Sequence, residues 1–592
     1  MCQSSSDGFR FGRHDTIHRV NTHNVRRPLT ANERQPLLAH SDIVAHLLFH
    51  RGISDAAEAK AFISPDYDAG THDPFLLKDA EKAARRIIHA IKNDEKIAIY
   101  SDYDADGIPG AAMFDDFMKR IGCKNYVVYI PHRHDEGFGL NVEAVEELAG
   151  QGVKVLMTID CGITDVGPIA RAKELGIDLI VTDHHEPPPE LPDAFAIIDH
   201  KQIDCPYPDK NLCGSGVAYK LIQAILKVDR FGLKEGMEKW LLDLAGIATM
   251  SDMVPLVGEN RVIAYYGLEV LRKSPRKGLV KLLEKLRIQQ RHLTEDDIAF
   301  MITPRINAAS RMGVPTDAFK LLSAHTDDDA YIYAERLDAV NNERKGVVAS
   351  LVKEVKKTVR DRHGSSVPSV IVLGNPSWRP SLLGLAANSC AEEFNRPVFL
   401  WGRDGGDVIK GSCRSEGTSN VVEIMRAAPT GTLSQFGGHK HSGGFAVAND
   451  SIHYLEQRLV EAAEKIRNSK NEILDKSEAT IDLELSLDQV DYRLYDDVNK
   501  LAPFGVGNPK PTFLFRKVLP AAVKHFGKAN EHVEFSFTKK NGQKLSAIAF
   551  FGASSEWAKT KAMNKPVDLI AAVEKSMFRG RPELRLRIID VI

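Results

Sequence analysis

Between residues 80 and 200 short apolar runs alternate with amphipathic stretches, and that alternation leaves little freedom in how the segment folds. "KIAIYSD" (96–102), "NYVVYIP" (125–131), "VKVLMTID" (153–160), "IDLIVTD" (177–183) and "AFAIID" (194–199) are rich in β-branched and aromatic residues and read as strands. "AEKAARRIIHAIKN" (80–93), "PGAAMFDDFMKRIG" (109–122), "NVEAVEELAGQG" (141–152) and "VGPIARAKELG" (166–176) carry apolar residues at helical spacing. Strands with no polar face are buried on both sides. Joined through helices, they predict βαβ units and a mostly parallel sheet. Ligands of such a sheet bind beyond the carboxyl ends of its strands. Four of these runs end on an acid, and three of those acids, Asp102, Asp160 and Asp183, stand in the motifs considered below.

The rest of the chain is organised around this unit. Residues 1–35 are polar and are expected to be disordered. "SDIVAHLLFHRGI" and "SDAAEAKAFI", within 38–75, each open with a Ser-Asp pair suited to capping a helix. Helical patterning resumes from 216 to about 290. Residues 328–362 contain no Pro and one Gly, which predicts a long helix connecting two lobes. A second α/β segment follows, with "SVIVLG" and "RPVFLWG" as strands. After "LAPFGVGNPKP" (501–511) come about five strand-like runs with Gly and Asn turns, which suit a small β-barrel of the OB type.

Composition narrows the function less than the motifs do. Hydrophobic residues make up 43% of the 592, charged residues 27%, and the formal net charge is −2. That balance does not favour a nucleic-acid binder, yet it leaves room for a local cationic groove. Seven cysteines are scattered with no C-x-x-C pair, so free thiols in a reducing compartment are expected. The first 28 residues lack an apolar signal region, and no apolar run reaches the roughly 18 residues needed to span a bilayer. The expectation is a cytoplasmic protein with no membrane association.

Four acidic or acid–histidine sites carry chemistry. They are "SDYDADG" (101–107), Asp160 in "TIDCG", "TDHH" (182–185), and Asp252 in "SDMVPL". Carboxylates brought together repel one another unless positive charge sits between them. Oxygen ligands with one or two imidazoles suit Mn²⁺, or Mg²⁺ where oxygen dominates. Two such ions roughly 3.5–4 Å apart serve in-line phosphoryl displacement. Taken alone, each acid has a plainer reading, as a turn residue or helix N-cap. "DADG" alone could open a calcium loop, but position twelve of that loop is Met113 rather than Glu. Four sites in order across alternating βα units are what point to a metal centre.

These motifs resemble the DHH phosphoesterase superfamily, and within it the RecJ-type single-strand-specific DNA exonucleases. "DYDADG", "PHRHDEGFGLN" (131–141), "TIDCGI", "TDHH" and "SDMVPL" are similar to the successive DHH motifs. "PRINAASRMG" (304–313) is similar to the segment that follows the catalytic lobe. "GSCRS" (411–415) and "GGHKHSGGF" (437–445) resemble the DHHA1 lobe, and "LAPFGVGNPKPTF" the entrance to the OB domain. The resemblance implies an α/β fold in five parts. These are a disordered tail (1–35), a parallel-sheet DHH catalytic domain with an N-terminal helical segment (36–325), a connecting helix (326–363), a DHHA1 domain (364–470) and an OB-fold domain (471–592).

The resemblance also assigns roles. It implies Asp104, Asp106, Asp160, His184 and Asp252 as ligands of two divalent ions, with Asp104, Asp106 or Asp160 bridging them. His185 is expected toward the scissile phosphate, with Asp183 fixing an imidazole tautomer. Asp102 is split between ligand and turn residue. Arg133, Arg305, Asn307, Arg311, Ser412, Arg414, Gly437, Gly438 and His439 are the expected substrate contacts, because guanidinium forks and glycine-exposed backbone N–H groups hold phosphates. Phe526, Lys528, Phe535 and Phe537 are either a base-stacking surface or barrel core, and alternate spacing favours core.

The chain departs from the usual pattern at Lys440 and His441, at Arg379 in "SWRPSLLG", and in "INAASR". The implied activity is removal of mononucleotides from single-stranded DNA, 5′ to 3′, in repair and recombination. Implied partners are single-stranded DNA, a single-strand-binding protein and a RecQ-type helicase, with the enzyme a monomer. Two alternatives stay open: a DHH phosphodiesterase acting on short RNA or cyclic dinucleotides, and a binding scaffold with an inactive site.

Overall fold

The computed structural model describes residues 23–592 apart from 365, 404–407, 470–478, 528–529, 555–556, 558–564 and 577–581. Its first sheet is built from β1 (Lys96–Ser101), β2 (Tyr126–Tyr129), β3 (Val153–Ile159), β4 (Asp178–Thr182) and β5 (Ala196–Ile198), as the apolar runs predict. Every pairing is parallel, and the spatial order is β2-β1-β3-β4-β5. Alternate residues feed two separate cores. Ile97, Ile99, Val155, Met157, Ile159 and Ile180 face one, and Ala98, Tyr100, Leu156, Leu179 and Val181 the other. Helices Gly107–Arg120 and Gly214–Val228 cover the first face, and Val142–Gly150 and Val166–Glu174 the second. The order of strands reverses between β1 and β3, so the crevice for a ligand opens at their carboxyl ends.

The connecting helix spans Asp327–His363. Thr326 caps it by accepting the Asp329 N–H; three aspartates occupy its first turn, and Arg360, Arg362 and His363 its last, which suits the helix dipole at both ends. Its first half packs on Lys277–Leu286, Thr303–Met312 and Thr316–Leu322. Leu351, Val355 and Val359 in its second half enter the core of the next lobe.

That lobe has a five-stranded mixed sheet in the order Gln435–His439, Ser442–Val447, Ile409–Arg414, Val398–Gly402, Ile371–Gly374. Only the last two are legible in the sequence. The other three read "IKGSCR", "QFGGH" and "SGGFAV", and their glycines and polar residues hide the strand pattern. Lys440 and His441 form the two-residue turn between the glycine-rich strands.

The main sheet of the C-terminal unit contains the five expected strands and two more, Leu483–Glu484 and Ala522–Phe526, which the sequence reading missed. These two form the edges of a linearly ordered seven-stranded sheet. Among the described residues the sheet is therefore open rather than a closed barrel. Phe535 and Phe537 are fully buried in its core. Phe526 is half-buried, with its ring 5.0 Å from that of His532. Lys528 lies outside the described residues.

The N-terminal segment departs from expectation in two ways. Of the tail expected to be disordered, residues 1–22 lie outside the described part. His23–Val25 pairs in parallel with Ala479–Ile481, and Thr30 caps a short helix, Ala31–Arg34. The helices Asp42–Phe49 and Ala56–Ile63 form as predicted, capped by Ser41 and Asp55. Their apolar core is shared with the C-terminal unit, however, rather than with the catalytic lobe: Leu37, Val44, Leu47 and Leu48 pack with Phe513, Phe515 and Phe535. His46 Nε2 lies 2.7 Å from the Asp482 carbonyl, and Ser41 Oγ donates to Asp497 at 2.7 Å. Proximity in sequence assigned them to the wrong partner.

Arg261 ties three parts together. Its Nε donates to the Phe62 carbonyl at 2.8 Å and its Nη2 to that of Ala502 at 3.0 Å, and its guanidinium lies 3.6 Å from the Phe62 ring centroid. The residue is 3% exposed. Arg261→Ala should destabilise the protein by about 2–3 kcal/mol, read as a lower denaturation midpoint; an unshifted midpoint would mean that the strap contributes nothing.

Candidate metal centre

Three acids reach the crevice by one device. The amide of Asp102, just beyond β1, donates to the Ile159 carbonyl of β3 at 3.1 Å. Asp160, beyond β3, donates to Thr182 of β4 at 2.9 Å, and Asp183, beyond β4, to Ile198 of β5 at 3.1 Å. The parallel ladder thus continues one residue past each strand and sets the acids in a row along the sheet edge. Asp160 adopts a left-handed backbone, φ 62°, that only a few non-glycine residues take. Gly214 makes room for it, since a Cβ there would stand 2.5 Å from the Asp160 Cβ.

The "DADG" turn brings two more carboxylates. Asp104 Oδ1 accepts the amides of Asp106 and Gly107 at 2.7 and 3.3 Å. Asp106 takes the Gly214 and Ser215 amides, at 2.6 and 2.8 Å, at the start of helix Gly214–Val228. Asn307 accepts the Ala105 amide at 2.9 Å, so "PRINAASRMG" supports the turn. Asp252, the C-cap of helix Leu242–Ser251, closes the other side.

His184 sits among them. Its Nε2 is 3.1 Å from Asp160 Oδ1, 3.7 Å from Asp106 Oδ2 and 3.8 Å from Asp252 Oδ2. Burial and the neighbouring His185 push its pKa down to about 3, so the imidazole is neutral. A neutral Nε2 and a carboxylate oxygen then face each other, and Asp160 Oδ1 is buried without a hydrogen bond. Asp102 Oδ1 is buried in the same condition. Burial, then the Asp104 charge, raises Asp106 to about 6; burial and mutual repulsion push Asp102, Asp160 and Asp252 well up. Acids that resist ionising together, with lone pairs converging on one space, fit a bound cation that would take the place of protons. The donors fall into three overlapping groups: Asp106, His184 and Asp252; Asp102, Asp104 and Asp160; and Asp160, His184 and His185. Asp102, split between two readings in the sequence, joins the cluster.

Asp183 stands behind the histidines. Its Oδ1 accepts from His185 Nδ1 at 2.7 Å and from the His184 amide at 2.7 Å; its Oδ2 accepts the Ile163 amide at 2.9 Å. Against the burial that would raise it, the His185 contact holds the Asp183 pKa below the usual range. Burial likewise opposes the charged form of His185, yet Asp183 raises its pKa. The His185 side chain is 45% exposed at the mouth, where the exposed Phe138 ring lies 5.7 Å away.

The expected phosphate contacts divide. Arg133 lies 4.9 Å over the Tyr103 ring, and Arg311 donates to the Ser381 carbonyl at 2.9 Å. Burial, followed by the charge of Arg133, pushes Arg311 down to about 10; Asp104, Arg344 and Arg414 also act on it. Arg414 donates to its neighbour's carbonyl at 2.8 Å. Ser412 is half-buried in the second sheet, whereas Gly437, Gly438 and His439 lie on its exposed edge strand. Arg305 is a correction. It is 4% exposed, and its Nε and Nη2 both donate to Asp338 at 3.0 and 2.7 Å, so its fork is spent inside the protein. Arg379 precedes helix Pro380–Phe394, with Nη1 3.8 Å from Met312 Sδ.

Sequence reasoning passed over Arg344 and Lys201. Lys201 pairs with Glu186 at 3.2 Å, and its charge acts on both His184 and Asp252. No pattern marks a lone lysine after a strand or one arginine on a long helix.

Comparison with known proteins places these parts. Residues 96–249 match the DHH family N-terminal domain, 367–472 the DHHA1 domain, and 481–590 the RecJ OB domain. The chain is 34% identical over 509 residues to the single-stranded-DNA-specific exonuclease RecJ of Bacillus subtilis. That alignment takes in 86% of this chain and 63% of the relative. With the RecJ protein of Escherichia coli identity is 29%, over 87% of this chain and 90% of that one. The crystal structure of RecJ from Thermus thermophilus in complex with Mn²⁺ superposes with a TM-score of 0.79 at 25% identity, covering 96% of this chain and 79% of that one.

Raised carboxyl pKa values mean that the folded state binds protons more tightly than the unfolded chain. Without metal the acid cluster therefore destabilises the fold increasingly as pH rises from about 4 through about 6. Mn²⁺ should raise the melting temperature more at about pH 8 than at about pH 5; equal shifts at both would contradict the cluster's ionisation. Gly214→Ala should displace Asp160 and weaken Mn²⁺ binding at least tenfold by calorimetry, with an unchanged affinity ruling out that packing constraint.

Proposed function

This chain belongs to the RecJ branch of the DHH family, and from that premise we propose that it is a metal-dependent exonuclease of single-stranded DNA. It releases mononucleotides by hydrolysing phosphodiester bonds, and by family analogy it works from the 5′ end. The observation that carries the reading is the set of three overlapping donor groups meeting at Asp160 and His184, in a crevice edged by Arg133, Arg311 and Arg414.

Asp104, Asp106, Asp160, His184 and Asp252 would hold two divalent ions, Mn²⁺ or Mg²⁺, with Asp102 beside them. Asp160 stands in two of the three donor groups, and its Oδ1 lies 3.1 Å from His184 Nε2 of the third. Bound ions of this kind acidify a water and neutralise charge developing on phosphoryl oxygens. The side chains do the rest. The Gly214 and Ser215 amides hold both oxygens of Asp106 in place. Asp183 keeps the proton of His185 on Nδ1 and aims Nε2 into the open mouth, where it faces the reacting phosphate. Arg133, Arg311 and Arg414 orient the phosphates. The same reading puts the protein in the cytoplasm as a monomer, working with a single-strand-binding protein and a RecQ-type helicase. Among the described residues no helix is long and apolar enough to cross a membrane.

End-labelled single- and double-stranded DNA and RNA, incubated with Mn²⁺, Mg²⁺ or chelator, test the reading. Single-stranded DNA should be degraded to mononucleotides with metal only. Preference for short RNA or cyclic dinucleotides would replace it with the phosphodiesterase alternative. Asp160→Ala and His184→Ala should each lower kcat by at least about 10³-fold, on the scale of removing a group that acts only in the transition state. Near-normal turnover by either with Mn²⁺ would refute the ligand assignment.

A further inference from the structure

A groove of about 820 Å³ runs between the second half of the connecting helix and helix Pro380–Phe394, outside the catalytic crevice. Its floor is aliphatic, formed by Val348, Val352 and Leu385. Its rim is mainly cationic, with Asp361 the one acid among the lining residues. Arg344, Lys345, Lys353 and Lys357 line it, and none of the four forms an ion pair with an acid among the described residues. Farther along, Lys356 and Arg360 share one acid, Glu393. Unpaired positive charge thus runs along the groove from Arg344 and Lys345 to Lys353 and Lys357. Arg344 marks the end nearest the metal centre. Its Nε is buried without a hydrogen-bond partner, and its charge is felt by Arg311, which in turn feels Asp104.

We propose that this groove is a second contact for the nucleic-acid strand, holding the phosphates of nucleotides that lie beyond the crevice. The inference rests on the nuclease reading above. The cations lie along one straight helix over roughly 24 Å from Arg344 to Arg360, at 1.5 Å per residue. A regularly repeating polyanion satisfies such a row along its whole length. Arg344 and Arg311 lie close enough for the charge of one to act on the other, which joins the groove to the crevice. The aliphatic floor accepts sugars and base edges but offers no aromatic ring for stacking, so binding here depends on charge and not on base identity.

The test uses the full chain, with labelled oligonucleotides of increasing length, in chelator so that nothing is cut. Lys353→Glu with Lys357→Glu should weaken binding of a long strand at least tenfold, the loss growing with strand length. The slope of log affinity against log salt should fall by about 1.4, at about 0.7 per phosphate contact on a single strand. Glu393→Gln frees Lys356 and Arg360 and should tighten long-strand binding two- to fivefold. Both lysines are exposed, and a melting curve checks that the doubly substituted protein is folded. Unchanged affinity and slope in both variants would overturn the proposal. So would loss of binding to an acidic polypeptide (poly-glutamate as probe) with nucleic-acid binding intact, which would make the groove a protein-docking site. Failure of the wild type to cut single strands with Mn²⁺ would instead sink the nuclease reading, a separate and distinguishable result.

Discussion

Carboxylates that repel one another are held together at the edge of a parallel sheet, and the surrounding structure is arranged to keep them there. Asp102, Asp160 and Asp183 are placed by backbone hydrogen bonds that extend the strand ladder by one residue. Asp106 is held by the first amides of a helix, and Asp104 by the turn it caps. Backbone donors can do this because they carry partial positive charge without mobility. A lysine in their place would neutralise the acids and fill the space a cation needs.

The two neighbouring histidines are separated in role by a difference of environment. Burial keeps His184 neutral and turned toward the carboxylates. His185 leans on Asp183 and remains half in solvent. One acid and a one-residue shift along the chain yield a ligand-like imidazole and a proton-bearing one. The run of prolines after them leads the chain away without a covering helix, which keeps the mouth open.

The lobes meet through long-range packing that the local sequence does not announce. The connecting helix delivers Arg344 to the neighbourhood of Arg311, and Arg311 binds the Ser381 carbonyl of the second lobe. Arg261 gathers the N-terminal helices, the catalytic lobe and the approach to the C-terminal unit. The longest of these contacts, Arg261 to Ala502, spans 241 positions, and those of Ser41 and His46 with the C-terminal unit span 456 and 436.

Much was legible in the order of residues itself. Five apolar runs predicted the five parallel strands, because strands buried on both faces have no other composition available. Acids at their ends marked the crevice, because the chain direction in a parallel sheet sends every carboxyl end to one edge. Caps at Ser41 and Asp55 could be bracketed from local chemistry alone. Other features were decided only by tertiary structure. The glycine-rich strands of the second lobe have no side-chain pattern to read and exist through their neighbours' hydrogen bonds. Arg305 resembles a phosphate ligand in sequence and is consumed by Asp338 in the fold. The N-terminal helices carry an apolar face whose partner lies more than 400 residues away, and hydrophobic burial has no direction along the chain. Local order sets which elements form and which way they point; which surfaces meet is set by where burial and charge can be satisfied together.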